Sequence, residues 1–505
     1  MELRAGRGEL TLWLTAIAVA ALGTWVMYDA LPGINWPAWT IIAAAGLFLF
    51  LRTAAATRTI LLTTGIAVII AFGAAITADP FIHALIFLSV ILFLALSMLL
   101  SSNPSIERIT ASFTIPAPVV AFATAIIEFI KRSVNALHLV RSERARSIVR
   151  GIAITAPVLV VFALLLSAAD PVFASWRDAI HDLLASWAFL PRTFFFIGIL
   201  AITLGAYGFA ARQENAPAPV ARTGENGRWL GATERLILLG SIAVLFWIFM
   251  AVQLSYFFGN LPRVSGSGVT FADYARRGFG ELTVVASASA VLVLCSERFG
   301  KHEGRRGLIR AATVALIVAV LFLLASAFNR VLLYEAAYGY TTARLYAQCY
   351  MIVVAAALIA LAWEIRGTLR PARLFRIVGT IATAVFIVLI YWNHEAWIAE
   401  RNIDRLATTG RLDVVYLTRD LSPNAVPVLT RRLATLPEPA RSDLQRALIT
   451  RYARRTENFD RRWYEWNLRM SRAREALTDL GIPLDAPPGA AQPVNYRDTR
   501  PRTQP

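Results

Sequence analysis

Residues 81–100 read FIHALIFLSVILFLALSMLL, a run without a single Asp, Glu, Lys or Arg. At about 1.5 Å per residue such a run makes a helix about 30 Å long, the thickness of a bilayer's hydrocarbon core. No water hydrogen-bonds the backbone in that core, so a spanning segment is either a helix or a strand of a closed barrel. Barrel strands alternate in polarity over about ten residues, and this run does not alternate. It predicts a membrane-crossing helix.

Working outward, the chain repeats the pattern. Candidate spans fall at 10–29, 37–51, 59–78, 81–100, 150–169, 191–210, 233–256, 279–296, 311–332, 344–364 and 374–392. The second is short, with Pro37 at its start, where a proline is tolerated. The expected fold is an all-α integral membrane protein with about eleven transmembrane helices and a C-terminal helical extracytoplasmic region. Composition agrees: of 505 residues 57% are hydrophobic and 16% charged, against about 25% charged in ordinary soluble chains. Such a balance argues against a soluble enzyme, a disordered chain or a disulfide-rich secreted domain.

The formal charge is +17, and 48 of the 50 basic residues are arginines. In a soluble protein this would suggest nucleic acid. In a polytopic chain it reflects the retention of basic loops in the cytoplasm, and no nucleic-acid partner is expected. With the N-terminus inside, the inner segments carry 24 Arg and Lys and the outer loops carry 7. An odd number of spans then places the C-terminal region outside. Its 19 arginines do not oppose that, because long domains translocate largely regardless of charge. Residues 1–30 lack the small-residue cleavage site of a secretory signal and read as an uncleaved first helix.

The expected organisation is a transmembrane domain over 1–393, a helical extracytoplasmic tail over 394–480 and a disordered tail over 481–505. Within the first, 101–149 is an inner segment whose "PAPVVAFATAIIEFIKRSVNALHLV" suits an amphipathic helix in the cytoplasmic interface; a re-entrant or full span is the alternative. In the tail, Ser422 and Pro423 mark a helix start, and Gly481 marks a helix end. Tyr464, Leu468, Ala473 and Leu477 approximate one apolar stripe.

Motifs for chemistry are missing from the sequence. Gly300-Lys301 fails as a phosphate loop, His394-Glu395 and His302-Glu303 lack the second histidine of a zinc helix, and there is no G-x-S-x-G. Cys295 and Cys349 lie in apolar runs without a C-x-x-C partner. The expectation is no catalytic set, no metal and no cofactor.

Polar density instead gathers at the outer ends of the eighth to tenth spans. "FADYARRGFGEL" carries Tyr274, Arg276, Arg277 and Glu281; "NRVLLYEAAYGYTTARLY" carries Arg330, Glu335, Tyr338 and Arg344. Arginine near hydrocarbon costs a few kcal/mol at depth, so such charges are paired or functional. Arg277 and Glu281 are helix neighbours at i,i+4, and a hairpin at "AAYGYTTA" would bring Glu335 toward Arg344. One reading is a structural ion-pair cluster within an interfacial tyrosine belt. The other is a ligand-binding pocket offering arginine forks to a phosphate or carboxylate.

"LLSAADPVFA" (165–174), "YARRGFGEL" (274–282), "NRVLLYEAAYGYTTARLYA" (329–347) and "NIDRLATTGRLDVVYLTRDLSPNAVPVL" (402–429) resemble the bacterial membrane family catalogued as domain of unknown function 4173, and its relative 4153. The resemblance implies a multi-pass protein of the bacterial cytoplasmic (inner) membrane and lends no catalytic residues; "YGYT" departs from an expected Y-G-L-T near Tyr340. Two functional classes lead. One is transport or lipid/anion handling at the outer cluster, with an anionic small molecule or lipid head group as partner. The other is an envelope sensor or assembly scaffold that recruits an envelope protein through the tail. In both, the lipid bilayer is the first partner.

Overall fold

The computed structural model describes residues 2–51, 56–102, 105–136, 155, 189–212, 230–258, 279–300, 306–367, 369–453 and 462–482. Among them the chain is helical, with a single isolated bridge between Leu230 and Gly300. Nine helices of the described residues are long and apolar enough to cross a membrane. That is compatible with a multi-pass membrane protein.

The helices are α1 (Glu2–Met27), α2 (Asn35–Leu49), α3 (Ala56–Ile76), α4 (Pro80–Leu100), α5 (Ala117–Ala136), α6 (Phe189–Ala210), α7 (Ala232–Phe258), α8 (Phe279–Phe299), α9 (Arg306–Tyr338), α10 (Thr342–Ile365) and α11 (Pro371–Tyr391). There follow α12 (His394–Thr409), α13 (Val426–Leu433), α14 (Ala440–Tyr452) and α15 (Leu468–Asp479). All the expected spans that fall on described residues are helices. The second is a 15-residue helix, about 22 Å long and short of the bilayer core. Apart from Thr155, the expected span at 150–169 lies outside the described residues, as does the expected disordered tail from 483 onward. Helix α1 begins at Glu2, eight residues before the expected span, and α9 has 33 residues and continues past Leu332 to Tyr338. Asn329, Arg330 and Glu335 interrupt the apolar run, but helix geometry continues because its hydrogen bonds are local.

Contacts divide the chain into two units, Met1–Ala218 with Asp460–Leu468, and Pro219–Phe459 with Arg469–Pro505. In the first, α1 to α4 and α6 enclose a core of Leu12, Ala16, Leu96, Leu100, Leu204 and Tyr207. Thr63 and Ser97 share a buried 2.7 Å hydrogen bond between α3 and α4. Such polar contacts and small side chains bind helices that share a lipid solvent with their neighbours. Asn35 is buried and donates to the Val26 and Leu31 carbonyls at 2.9 and 3.2 Å, so it holds the α1–α2 turn.

Helix α5 corresponds to the expected amphipathic segment. Ala117, Ala121 and Ala125 are buried on one face, while Val119, Phe122 and Ile127 are exposed. Glu128 is buried and paired with Arg212, with Arg132 at 3.9 Å and with Lys131 at 4.0 Å. Arg132 also pairs with Glu9 and donates to the Gly208 carbonyl at 3.0 Å. The charges that interrupt the apolar run are thus matched at the helix end near the N-terminus.

The segment 462–468 packs at the opposite end of this unit. Asn467 is buried and donates to the Ala74 and Thr77 carbonyls at 2.8 and 2.6 Å, and Ile34 N–H donates to the Trp466 carbonyl at 3.1 Å. Tyr464 lies in a short 3-10 turn of this segment, not on α15, which begins only at Leu468. The expected stripe therefore starts one element late: Ala473 and Leu477 are the fully buried positions of α15.

The second unit buries Leu239, Leu316, Val320, Leu323, Met351 and Leu358 among α7 to α11. At the end carrying Arg306, the buried Glu364 pairs with Arg373 and the buried Arg235 with Glu297.

A side chain at Gly205 would collide with the Ala125 backbone carbonyl, whereas Gly198 faces open space. Gly205→Val is expected to lower the thermal midpoint of the purified protein by the equivalent of about 1–3 kcal/mol. Gly198→Val should change it little, and equal shifts would contradict this packing.

Candidate functional site

The α9–α10 connection is three residues long, Gly339, Tyr340 and Thr341, with Gly339 at φ +89. Only glycine adopts that backbone without steric cost. Thr341 starts α10 by accepting from Arg344 N–H at 3.4 Å. The short turn fixes α9 and α10 as neighbours and places Tyr334, Glu335, Arg344 and Gln348 together.

These groups are already engaged with one another. Glu335 is buried and accepts from the Gln348 amide at 2.8 Å. The Arg344 guanidinium donates to the Gly339 carbonyl and lies 4.2 Å above the Tyr334 ring centroid. Tyr334 and Tyr338 pack with centroids 4.7 Å apart. The hairpin does bring Glu335 and Arg344 into one neighbourhood, but glutamine holds the carboxylate and a carbonyl holds the arginine. Arg330 is buried on α9 and Tyr338 is exposed at its end. Glu281 is exposed in the first turn of α8. Tyr274, Arg276 and Arg277 lie outside the described residues.

What the sequence reading missed is the partner of the hairpin. Helix α12 lies against it. The Asn402 side chain accepts from Tyr340 N–H and donates to the Tyr340 carbonyl, both at 2.9 Å, as a strand neighbour would. Arg405 donates to the Ala336 carbonyl at 2.9 Å and to the Ala337 carbonyl. The last carbonyls of a helix have no partner within it and carry partial negative charge, so an arginine suits them. Thr342 N–H donates to the Tyr416 hydroxyl at 2.9 Å. The Tyr340 ring meets Trp397 edge-on at 5.2 Å, and Tyr346 shares a 3.1 Å hydrogen bond with His394.

A second polar knot holds α12 in place. Glu395 is buried; it accepts from Ser422 N–H at 2.9 Å, from the Ser422 hydroxyl and from the Asn424 amide at 2.7 Å. Ser422 caps the turn at Pro423 as expected, accepting from Asn424 N–H at 3.2 Å. Arg469 of α15 reaches the Tyr391 carbonyl at 3.0 Å and Asn393 at 3.3 Å. Burial pushes the Arg469 guanidinium down to about 10 while Glu395 pulls it the other way; it stays charged at neutral pH. Burial also pushes the Tyr416 hydroxyl up, against the hydrogen bond from Thr342.

A signal for this knot existed. Glu395, Ile398, Ala399 and Asn402 recur at helical spacing and mark one face of α12. Ile398 and Ala399 are fully buried. What spacing could not show is that the face covers a turn about 60 residues earlier. Among the described residues no group of three or more His, Cys, Asp or Glu is placed to hold a metal. The arrangement is chemically a clamp: it satisfies exposed backbone groups and immobilises two helix ends.

Asn402→Ala removes both bonds to Tyr340. It is expected to cost about 1–3 kcal/mol, the range for leaving partners unsatisfied, and to speed hydrogen exchange at the Tyr340 amide. Arg411→Ala, at an exposed position, should do neither. Unchanged exchange at Tyr340 would show that the clamp carries no load.

The model of one family, described as Domain of unknown function (DUF4153), matches residues 64–432. That is the relative named second in the sequence resemblance. Neither a curated protein nor a solved structure matches the chain. The matched region runs from α3 through most of α13 and includes the hairpin and the face of α12 that covers it. The chain belongs to the DUF4153 family.

Proposed function

We propose that this is a multi-pass protein of the bacterial inner membrane whose C-terminal helices form an extracytoplasmic docking platform for an envelope partner. The observation that carries the reading is the main-chain clamp of Asn402 and Arg405 on the α9–α10 hairpin. A tail tethered by flexible chain would transmit nothing to the bundle. A tail bonded to helix ends moves with them, which is what a sensor or scaffold requires. The platform is basic: residues 394–480 hold 16 arginines against 12 Asp and Glu. An acidic partner surface would therefore be steered toward it.

The sidedness has support within each unit. In the first, the Glu128, Arg132 and Arg212 group lies at the end near Glu9, and segment 462–468 packs at the other end. In the second, the Glu364–Arg373 pair marks one end of α10, and α12 covers the other. Basic residues collect on the cytoplasmic side, so both units favour a tail outside and an N-terminus inside.

The anion-handling reading draws support from Arg330, a buried arginine in a long apolar helix. It requires Arg344 to leave the Gly339 carbonyl and the Tyr334 face before gripping a ligand. The clamp makes that release costly, which ranks this reading second.

Two measurements separate the readings. With Cys295 and Cys349 replaced by serine, Arg441→Cys and Glu475→Cys are expected to react with a membrane-impermeant maleimide in intact cells, and Arg310→Cys is not. The reverse pattern would remove the platform. Secondly, Arg330→Ala should leave thermal stabilisation by added anionic lipids or phosphorylated metabolites equal to that of Arg451→Ala. A selective loss at Arg330 would favour the anion site instead.

A further inference from the structure

A cavity of about 390 Å³ opens between the last turns of α1 and the first turns of α6, within the 300–1,000 Å³ typical of ligand sites. Its walls include the aromatic rings of Trp25, Phe189 and Phe196, with the hydroxyls of Thr24 and Thr193 and one charge, Arg192. The surrounding surface is apolar: Leu14 and Ile17 of α1 and Phe194 and Ile197 of α6 are exposed. In a chain that spans a membrane, that surface meets acyl chains.

The lining is graded along the helices. Arg192 lies in the first turn of α6, at the level where a spanning helix leaves the hydrocarbon. Phe196 lies one turn, or about 6 Å, deeper. Among the described residues the Arg192 interaction is with the face of Tyr28, 5.9 Å from the ring centroid. An exposed guanidinium over an aromatic face keeps its donors available for a phosphate fork. Behind the groove, Trp25 packs on Trp463 and Tyr464 at 6.2 and 5.6 Å, so the 462–466 segment holds one wall in place.

We propose that this groove is a binding site for an anionic phospholipid, with the phosphodiester at Arg192 and an acyl chain beside Phe196. A free phosphate would leave the aromatic walls unused; a neutral hydrophobe would leave Arg192 unused. An amphipathic anion uses both. The site is independent of the platform reading, since neither the tail's partner nor the Asn402 clamp enters the argument.

The test is native mass spectrometry of the detergent-solubilised full chain with equimolar phosphatidylglycerol and phosphatidylcholine of matched acyl chains. Wild type is expected to retain phosphatidylglycerol with about fivefold preference, the ratio that one arginine near an anionic head group supplies. Arg192→Gln, an exposed substitution that leaves the helix packing untouched, should bring the ratio near one. Ala21→Trp, which fills the groove from an exposed position of α1, should reduce retention of both lipids. Arg366→Gln is the control. That exposed arginine also lies over an aromatic ring, Trp363 at 5.4 Å, but outside the groove, and its loss should preserve the preference. Equal retention in wild type, an unchanged ratio in Arg192→Gln, or displacement of the lipid by excess inorganic phosphate would each overturn the assignment.

Discussion

Helix ends are the constraint on which this structure depends. Within a helix every backbone group is satisfied locally, but four N–H and four C=O groups at each end are not. Water caps them in a soluble protein, whereas near a membrane that supply is limited and the protein must provide partners. The α9–α10 hairpin shows the solution: Arg405 donates to the Ala336 carbonyl, Asn402 pairs with both backbone groups of Tyr340, and Tyr416 receives the Thr342 amide. The same device recurs in the first unit, where Asn467 donates to the Ala74 and Thr77 carbonyls and Asn35 to those of Val26 and Leu31.

This constraint explains why the C-terminal helices are integral to their unit. A helix such as α12, with a charged face and a face of Ile398, Ala399 and Asn402, has to bury that second face somewhere. It buries it on a turn that needs hydrogen-bond donors. The Glu395 knot then anchors the first turn of the same face. A buried carboxylate is tolerated when hydrogen-bond donors surround it, and Ser422 and Asn424 supply them.

The charges within apolar segments follow the same logic. Glu128, Glu335 and Glu364 are all buried, and each has a specific partner: arginines for Glu128 and Glu364, and an amide for Glu335. Removing water raises the cost of an unmatched charge far more than it raises the net worth of a matched one. Arg344 is likewise held by a carbonyl and a tyrosine face. Arg192 lies over the Tyr28 ring and lines the cavity between α1 and α6.

The sequence alone determined the all-helical class, the positions of most of the long apolar helices, the α5 helix, the Ser422 cap and the turn at Gly481, whose φ is +69. These rest on local periodicity, on transfer of apolar side chains out of water and on short-range turn chemistry. It also drew attention to the α9–α10 hairpin, because Arg330, Glu335 and Arg344 are out of place in apolar runs. Only the tertiary structure decided what those residues touch. Gln348 rather than an arginine holds Glu335, α12 covers Tyr340, and segment 462–468 belongs to the first unit. The physical reason is that helical spacing reveals which face is buried but not against what. Partners some 60 residues apart at the hairpin, or nearly 400 apart at Asn467, meet only when the packed chain brings them together.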